Sequence, residues 1–180
     1  IERSDFLGVA VPLAREDDFF DQLERMQKRW YDATHHCWAY RLFADARTRS
    51  SDAGEPSGTA GRPILAAIEG AGLHDVAVVV VRWFGGIKLG TGGLSRAYRD
   101  TAAETLRGAQ VVDRYVYQRI RVVVPFDALN TVYRLIHPPD VLLADERYGD
   151  ENEFFFDVRQ SLAAEFQKQL AEKRLRFTLP

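Results

Sequence analysis

The sequence has a single cysteine, Cys37, so an intramolecular disulfide and a cysteine-only metal site are both excluded. An unpaired thiol suits a reducing compartment, and the cytoplasm is the expected location. Long apolar runs are missing as well. None approaches the roughly 18 residues of a membrane-spanning helix, so no membrane association is expected. Glu2, Arg3 and Asp5 have no signal-peptide apolar region behind them, and the opening on Ile1 leads us to expect that earlier residues have been lost. An excess of charge of one sign is lacking too. Residues 1–116 hold 15 Lys and Arg against 16 Asp and Glu, and residues 117–180 hold 9 against 10. Bulk attraction to nucleic acid is therefore excluded, and any such contact must rest on a local patch.

What remains is an apolar fraction of 46% in 180 residues, enough for one ordinary domain or two small ones. Residues 5–13 read as a strand. A helix capped by Asp17 or Asp18 follows, with Phe19, Leu23, Met26 and Trp30 on one stripe. Residues 35–42 alternate as a strand, and 48–62 form a loop with room for one short strand. Pro63 opens a helix that should stop near Gly70 or Gly72. Val76 to Val81 is a β-branched strand covered on both faces. The stripe from Leu94 to Leu106 predicts a helix over 94–107, ended by Gly108.

The pattern changes over 110–118. From Arg119 onward it predicts a strand, a helix capped by Asp127, strands at 141–148 and 153–160, a helix capped by Ser161, and a last strand through Leu175, Phe177 and Leu179. That βαββαβ order is the ferredoxin-like plan. The fold class is α+β, with domains expected at 1–112 and 117–180.

Five glycines, Gly85, Gly86, Gly90, Gly92 and Gly93, fall within nine residues between the apolar strand and the helix. Such density implies φ > 0 conformations or something pressed close to the main chain. Arg82, Lys88, Arg96 and Arg99 surround them, and Thr91 and Ser95 add hydroxyl donors. Exposed N–H groups leading into a helix N-terminus, ringed by cations, suit an anion. The bland alternative is a turn that merely packs the helix on the sheet. Gly90 is followed by neither Lys nor a third fingerprint glycine, so this is neither a Walker A loop nor a dinucleotide fingerprint. Trp83, ending the buried run beside Arg82, is the ring expected to be exposed as a stacking platform.

A second cluster gathers His36, Glu55, Thr59 and Arg62. Asp52 and Glu55, three apart among glycines and hydroxyls, suit acid–base work or a metal as well as they suit turns and caps. His35-His36-Cys37 looks like a metal set, yet on a strand His35 and Cys37 face one side and His36 the other. Zinc needs three or four ligands, so neither metal nor cofactor is expected. A Gly-x-Ser-x-Gly elbow and a His-x-Glu deaminase signature are both missing.

Three blocks carry a resemblance: Ala33 to Tyr40, Gly54 to Leu65, and Val80 to Leu94 with Ala97-Tyr98. In order and spacing they resemble the IMPACT/YigZ family over roughly residues 3–110, and 117–179 are similar to the small C-terminal domain of its bacterial members. The resemblance implies a fold like the second domain of ribosomal protein S-five, followed by a ferredoxin-like domain. That pair is similar to two adjacent, ribosome-contacting domains of the translocating elongation factor. Eukaryotic members bind the activator of the starvation kinase through an extra N-terminal domain, which has no counterpart in these blocks, and that partner is not carried over. Two departures stand out: Ala53 replaces an aspartate usual in the family, and Ser4-Asp5 lacks the basic residues common there.

The expectation is a non-catalytic, translation-associated protein that binds RNA or ribosome through Arg82, Trp83, Gly85, Gly86, Lys88, Gly90, Thr91, Gly92, Gly93, Ser95, Arg96 and Arg99. Two alternatives stay open at this point. One is an enzyme or sensor holding a phosphate or nucleotide ligand in the same loop. The other is a protein-interaction module in translational stress control.

Overall fold

The computed structural model describes residues 1 and 3–179, which divide into two compact units, 1–111 and 112–180. In the first unit the elements run β1 (Asp5–Pro12), α1 (Glu16–Arg29), β2 (His35–Arg41), β3 (Thr48–Ser51), α2 (Gly61–Gly70), β4 (Val76–Trp83) and α3 (Gly90–Arg107). The strands form one sheet in the order β1-β4-β2-β3, with every neighbouring pair antiparallel.

The β-branched run becomes the central strand because both of its faces are covered. Val78 and Val80 pack with Ile64, Ile68, Leu94 and Tyr98 of α2 and α3. Ala77, Val79 and Val81 pack with Phe19, Leu23 and Met26 of α1. Strand alternation thus sorts one sequence into two cores. β2 is sorted the same way, with Cys37 and Ala39 under α2 and α3, and Trp38 and Tyr40 under α1.

Two boundaries differ from the sequence reading. Asp17 and Asp18 lie within the first turn of α1, whose N-cap is Arg15 and carries no side-chain cap. α3 starts at Gly90, four residues before the apolar stripe begins, so Gly90, Gly92 and Gly93 belong to its first turn and not to a loop. A hydrophobic stripe marks only the buried part of a helix, and this first turn is mostly exposed.

The second unit runs β5 (Tyr117–Val124), α4 (Leu129–Tyr133), β6 (Val141–Arg147), β7 (Asn152–Arg159), α5 (Ala163–Glu172) and β8 (Arg176–Thr178). Its strand order β6-β7-β5-β8, antiparallel throughout, is the ferredoxin-like arrangement. Ile120, Val122, Phe154, Phe156, Phe166 and Leu170 form its core. Asp127 and Ser161 are not helix caps; each sits inside a 3-10 turn, at 126–128 and 160–162, that leads into the helix. Among the described residues no helix is long and apolar enough to cross a membrane.

Candidate functional site

The site grows from the end of β4. Alternation carries the face of Val78 and Val80 on to Arg82, which stands opposite Phe6 of β1 and His35 of β2. Arg82 is only 4% exposed. One guanidinium nitrogen donates to Glu55 Oε1 at 2.6 Å and the other to Ser4 Oγ at 3.1 Å. The rings of Phe6 and Phe84 flank it at 5.4 and 5.3 Å. Glu55, on the loop before α2, also accepts from the Tyr98 hydroxyl of α3 at 2.7 Å. A buried charge is retained only when paired and hydrogen-bonded, and this pair meets that condition from three elements.

Burial raises the Tyr98 hydroxyl far above the ordinary tyrosine range, and neighbouring Cys37 and Glu55 push the same way. Cys37 is pushed up to about 12, chiefly by burial, with Glu55 and Asp52 adding to the rise and the nearby Tyr98 opposing it. Its thiol donates to the Asp52 carbonyl at 2.9 Å. Such a thiol is a small core hydrophobe, not a nucleophile. In the native chain Cys37 should release no chromophore from a thiol-disulfide reagent at neutral pH, and in denaturant one thiol per chain should react. Rapid labelling of the native protein would overturn this placement.

Asp52 has a structural task. Its Oδ1 accepts from the N–H groups of Ala60 at 2.9 Å and Gly61 at 2.8 Å, and its Oδ2 from Gly58 at 2.7 Å. The N-cap residue of α2, Ala60, cannot cap with its own side chain, so the loop brings a carboxylate back to do it. Burial works against ionisation of Asp52, but the three N–H donors outweigh it and hold the carboxyl below its ordinary value.

Above the ion pair opens a cavity of about 420 Å³, lined by Thr34, His35, Glu55, Phe84, Lys88 and Thr91 among others. His35 Nδ1 lies 2.9 Å from the Ala53 carbonyl, which only accepts, so Nδ1 carries the proton. Its Nε2 stands 3.8 Å from Glu55 Oε1. The rim is the first turn of α3. This turn has neither a side-chain cap nor an acidic residue, and its N-cap is Leu89. Gly90, at φ +69, enters the helix through the left-handed region that favours glycine.

Lys88 and Arg96 are exposed beside this turn, and the Phe84 ring is exposed as well. Thr91 is exposed and Ser95 half-buried one turn further on. Arg99 is exposed and donates to Asp100. Gly86 is exposed with φ +87, whereas Gly85 has a packing reason: a Cβ there would lie 1.8 Å from the Arg3 carbonyl oxygen.

Several expected site residues are not where the sequence reading placed them. Arg82 is not a surface cation, because Glu55 holds it inside. Trp83 packs against the α1-side core, since alternation puts it on the face opposite Arg82, and Phe84, just past the end of β4, is the exposed ring. His36 lies on the α1 face, so His35, not His36, stands beside Glu55. Thr59 is buried and donates to the Pro56 carbonyl at 2.6 Å. Arg62 is exposed in the first turn of α2. Ser4 and Tyr98 belong to the site without having been foreseen as members of it. In the sequence Tyr98 stands in the helical stripe and in the third family block, neither of which assigns it a partner, and nothing local marks Ser4.

The profile of the Impact N-terminal domain matches residues 2–106. The chain belongs to the IMPACT family. It is 44% identical over 151 residues to an IMPACT family member of Thermus thermophilus, covering 84% of this chain and 81% of the relative. To the IMPACT family member YvyE of Bacillus subtilis it is 32% identical over 173 residues, covering 96% and 80%. A crystal structure titled as that of a hypothetical protein superposes with a TM-score of 0.68 at 28% identity, spanning 100% of this chain and 90% of the other. Membership in the IMPACT family therefore extends to relatives that share nearly the whole length, with both units included.

Proposed function

We propose that this IMPACT family member is a non-catalytic, translation-associated protein that binds RNA, including ribosomal RNA, through the surface at the start of α3. The observation that carries the reading is the uncapped first turn of α3, with Lys88 and Arg96 exposed beside it. Unpaired N–H groups at a helix N-terminus attract a phosphate, and two exposed cations add charge without fixing sequence. The exposed Phe84 ring offers a base a face to stack on, worth about 1–3 kcal/mol. With Arg82 and Arg99 engaged by carboxylates, Lys88 and Arg96 supply the charge of the patch.

Titration of single-stranded RNA and co-sedimentation with ribosomes, each across a salt series, test this. Lys88→Ala/Arg96→Ala should weaken binding at every sequence and flatten the dependence of log K on log salt by about one for each cation. A double variant that binds with the parent's affinity and slope would remove the assignment. Localisation in the cytoplasm, where ribosomes reside, belongs to the same proposal.

A further inference from the structure

The floor of the cavity holds a carboxylate with half of its bonding capacity unused. Glu55 has a side chain only 4% exposed, and Arg82 and Tyr98 both donate to its Oε1. Among the described residues Oε2 has no hydrogen-bond partner. It is not among the sealed, unpartnered atoms such as Arg82 Nε, and Glu55 lines the cavity. His35 Nε2, 3.8 Å from Oε1 of the same carboxylate, is an acceptor in the neutral ring, because Nδ1 keeps the proton on the Ala53 carbonyl. Two neighbouring acceptors at the bottom of a pocket call for a ligand that presents two neighbouring donors. At the mouth, Lys88 and the first turn of α3 call for an anion, and Phe84 for a flat apolar group. The volume of about 420 Å³ is within the usual range of small-molecule clefts, about 300–1,000 Å³.

We propose that this cavity seats the 3′-terminal ribonucleotide of an RNA, its 2′,3′-diol donating to Glu55 Oε2 and His35 Nε2 and its 5′-phosphate lying at the α3 N-terminus beside Lys88. The assignment rests on the RNA reading of the α3 surface and narrows it to an end of the strand. Hydroxyl donation to an ionised carboxylate is a strong hydrogen bond, and the ribose 2′-hydroxyl is the group that tells RNA from DNA. Arg82 keeps the carboxylate from repelling the incoming phosphate, since the pair beneath the ligand is neutral overall.

The test compares one short single-stranded RNA in three forms at matched salt: with a free terminal diol, with a 3′-phosphate, and with a 2′-deoxy terminal residue. The diol form should bind about tenfold tighter, or more, than either of the others. Glu55→Gln, assayed where tryptophan fluorescence shows it folded, should erase that preference and leave the salt slope unchanged. Equal binding of all three forms by the native protein overturns the assignment and leaves RNA binding by α3 standing. If none of the three binds, the RNA reading fails. The cavity is then probed alone with a ribonucleoside 5′-monophosphate and its 2′,3′-dideoxy counterpart, and equal behaviour of that pair overturns the diol site by itself.

Discussion

Replacing Arg82 by methionine should lower the stability of the first unit by about 3–5 kcal/mol, the usual cost of removing one partner from a buried ion pair. Methionine fills much of the volume between Phe6 and Phe84, so the loss is not chiefly a cavity. It comes from Glu55, left as an uncompensated carboxylate with only Tyr98 donating to it. Ser4 Oγ also loses a donor, although the Gly85 N–H at 3.3 Å remains. Adding Glu55→Gln should restore most of the loss. The amide oxygen still accepts from Tyr98, and no net charge stays buried. Trp30, Trp38 and Trp83, the chain's three tryptophans, all lie in the first unit, so urea unfolding followed by their fluorescence reports that unit without the other. If Arg82→Met unfolds at the parent's midpoint, the pair is not holding β1, β4 and the 52–59 loop together. If the double variant is no better than the single one, charge is not the cause.

The same residue shows what the sequence could and could not convey. Periodicity placed the strands and most of the helices, because a β-branched run from Val76 to Val81 and the stripe from Leu94 to Leu106 state their burial directly. Arg82 follows that run by one position and reads, from its type, as a surface cation. Its partner is 27 residues earlier, and no local pattern announces an ion pair over that separation. His35 was within reach, since alternation alone puts it on the face of Cys37 and Arg82 and puts His36 on the other. The glycines misled in a different manner. Their density marked something close to the backbone, but the causes diverge: Gly85 makes room for the Arg3 carbonyl, whereas Gly90 supplies a positive φ where α3 begins. One motif therefore contains a packing device and an exposed helix start, which type and spacing cannot separate.

Replacing Asp52 by alanine should destabilise the first unit by about 2–4 kcal/mol, because three backbone N–H groups at the start of α2 lose a charged acceptor together. Ala60 and Gly61 supply no substitute cap, and a Cβ at Gly61 would already lie 2.8 Å from the Ser51 nitrogen, so the turn has little room to rearrange. The effect carries a pH signature. The folded-state pKa of Asp52 lies below its ordinary value of 3.8, so its contribution is complete above that value and fades as pH falls through the lower folded one. The stability difference between parent and Asp52→Ala should thus be constant at neutral pH and shrink below about pH 4. Glu16 is held down at about 2 by the nearby Tyr40 hydroxyl and by the Arg47 and Arg49 guanidiniums that donate to it, and so weakens both proteins in acid. It is common to both and cancels in the difference. A gap that persisted unchanged into strong acid would mean that the carboxylate's charge is irrelevant to the cap. The absence of any gap at neutral pH would mean that α2 is not held by Asp52, and the loop carrying Glu55 would then lose the anchor that fixes it beneath the cavity.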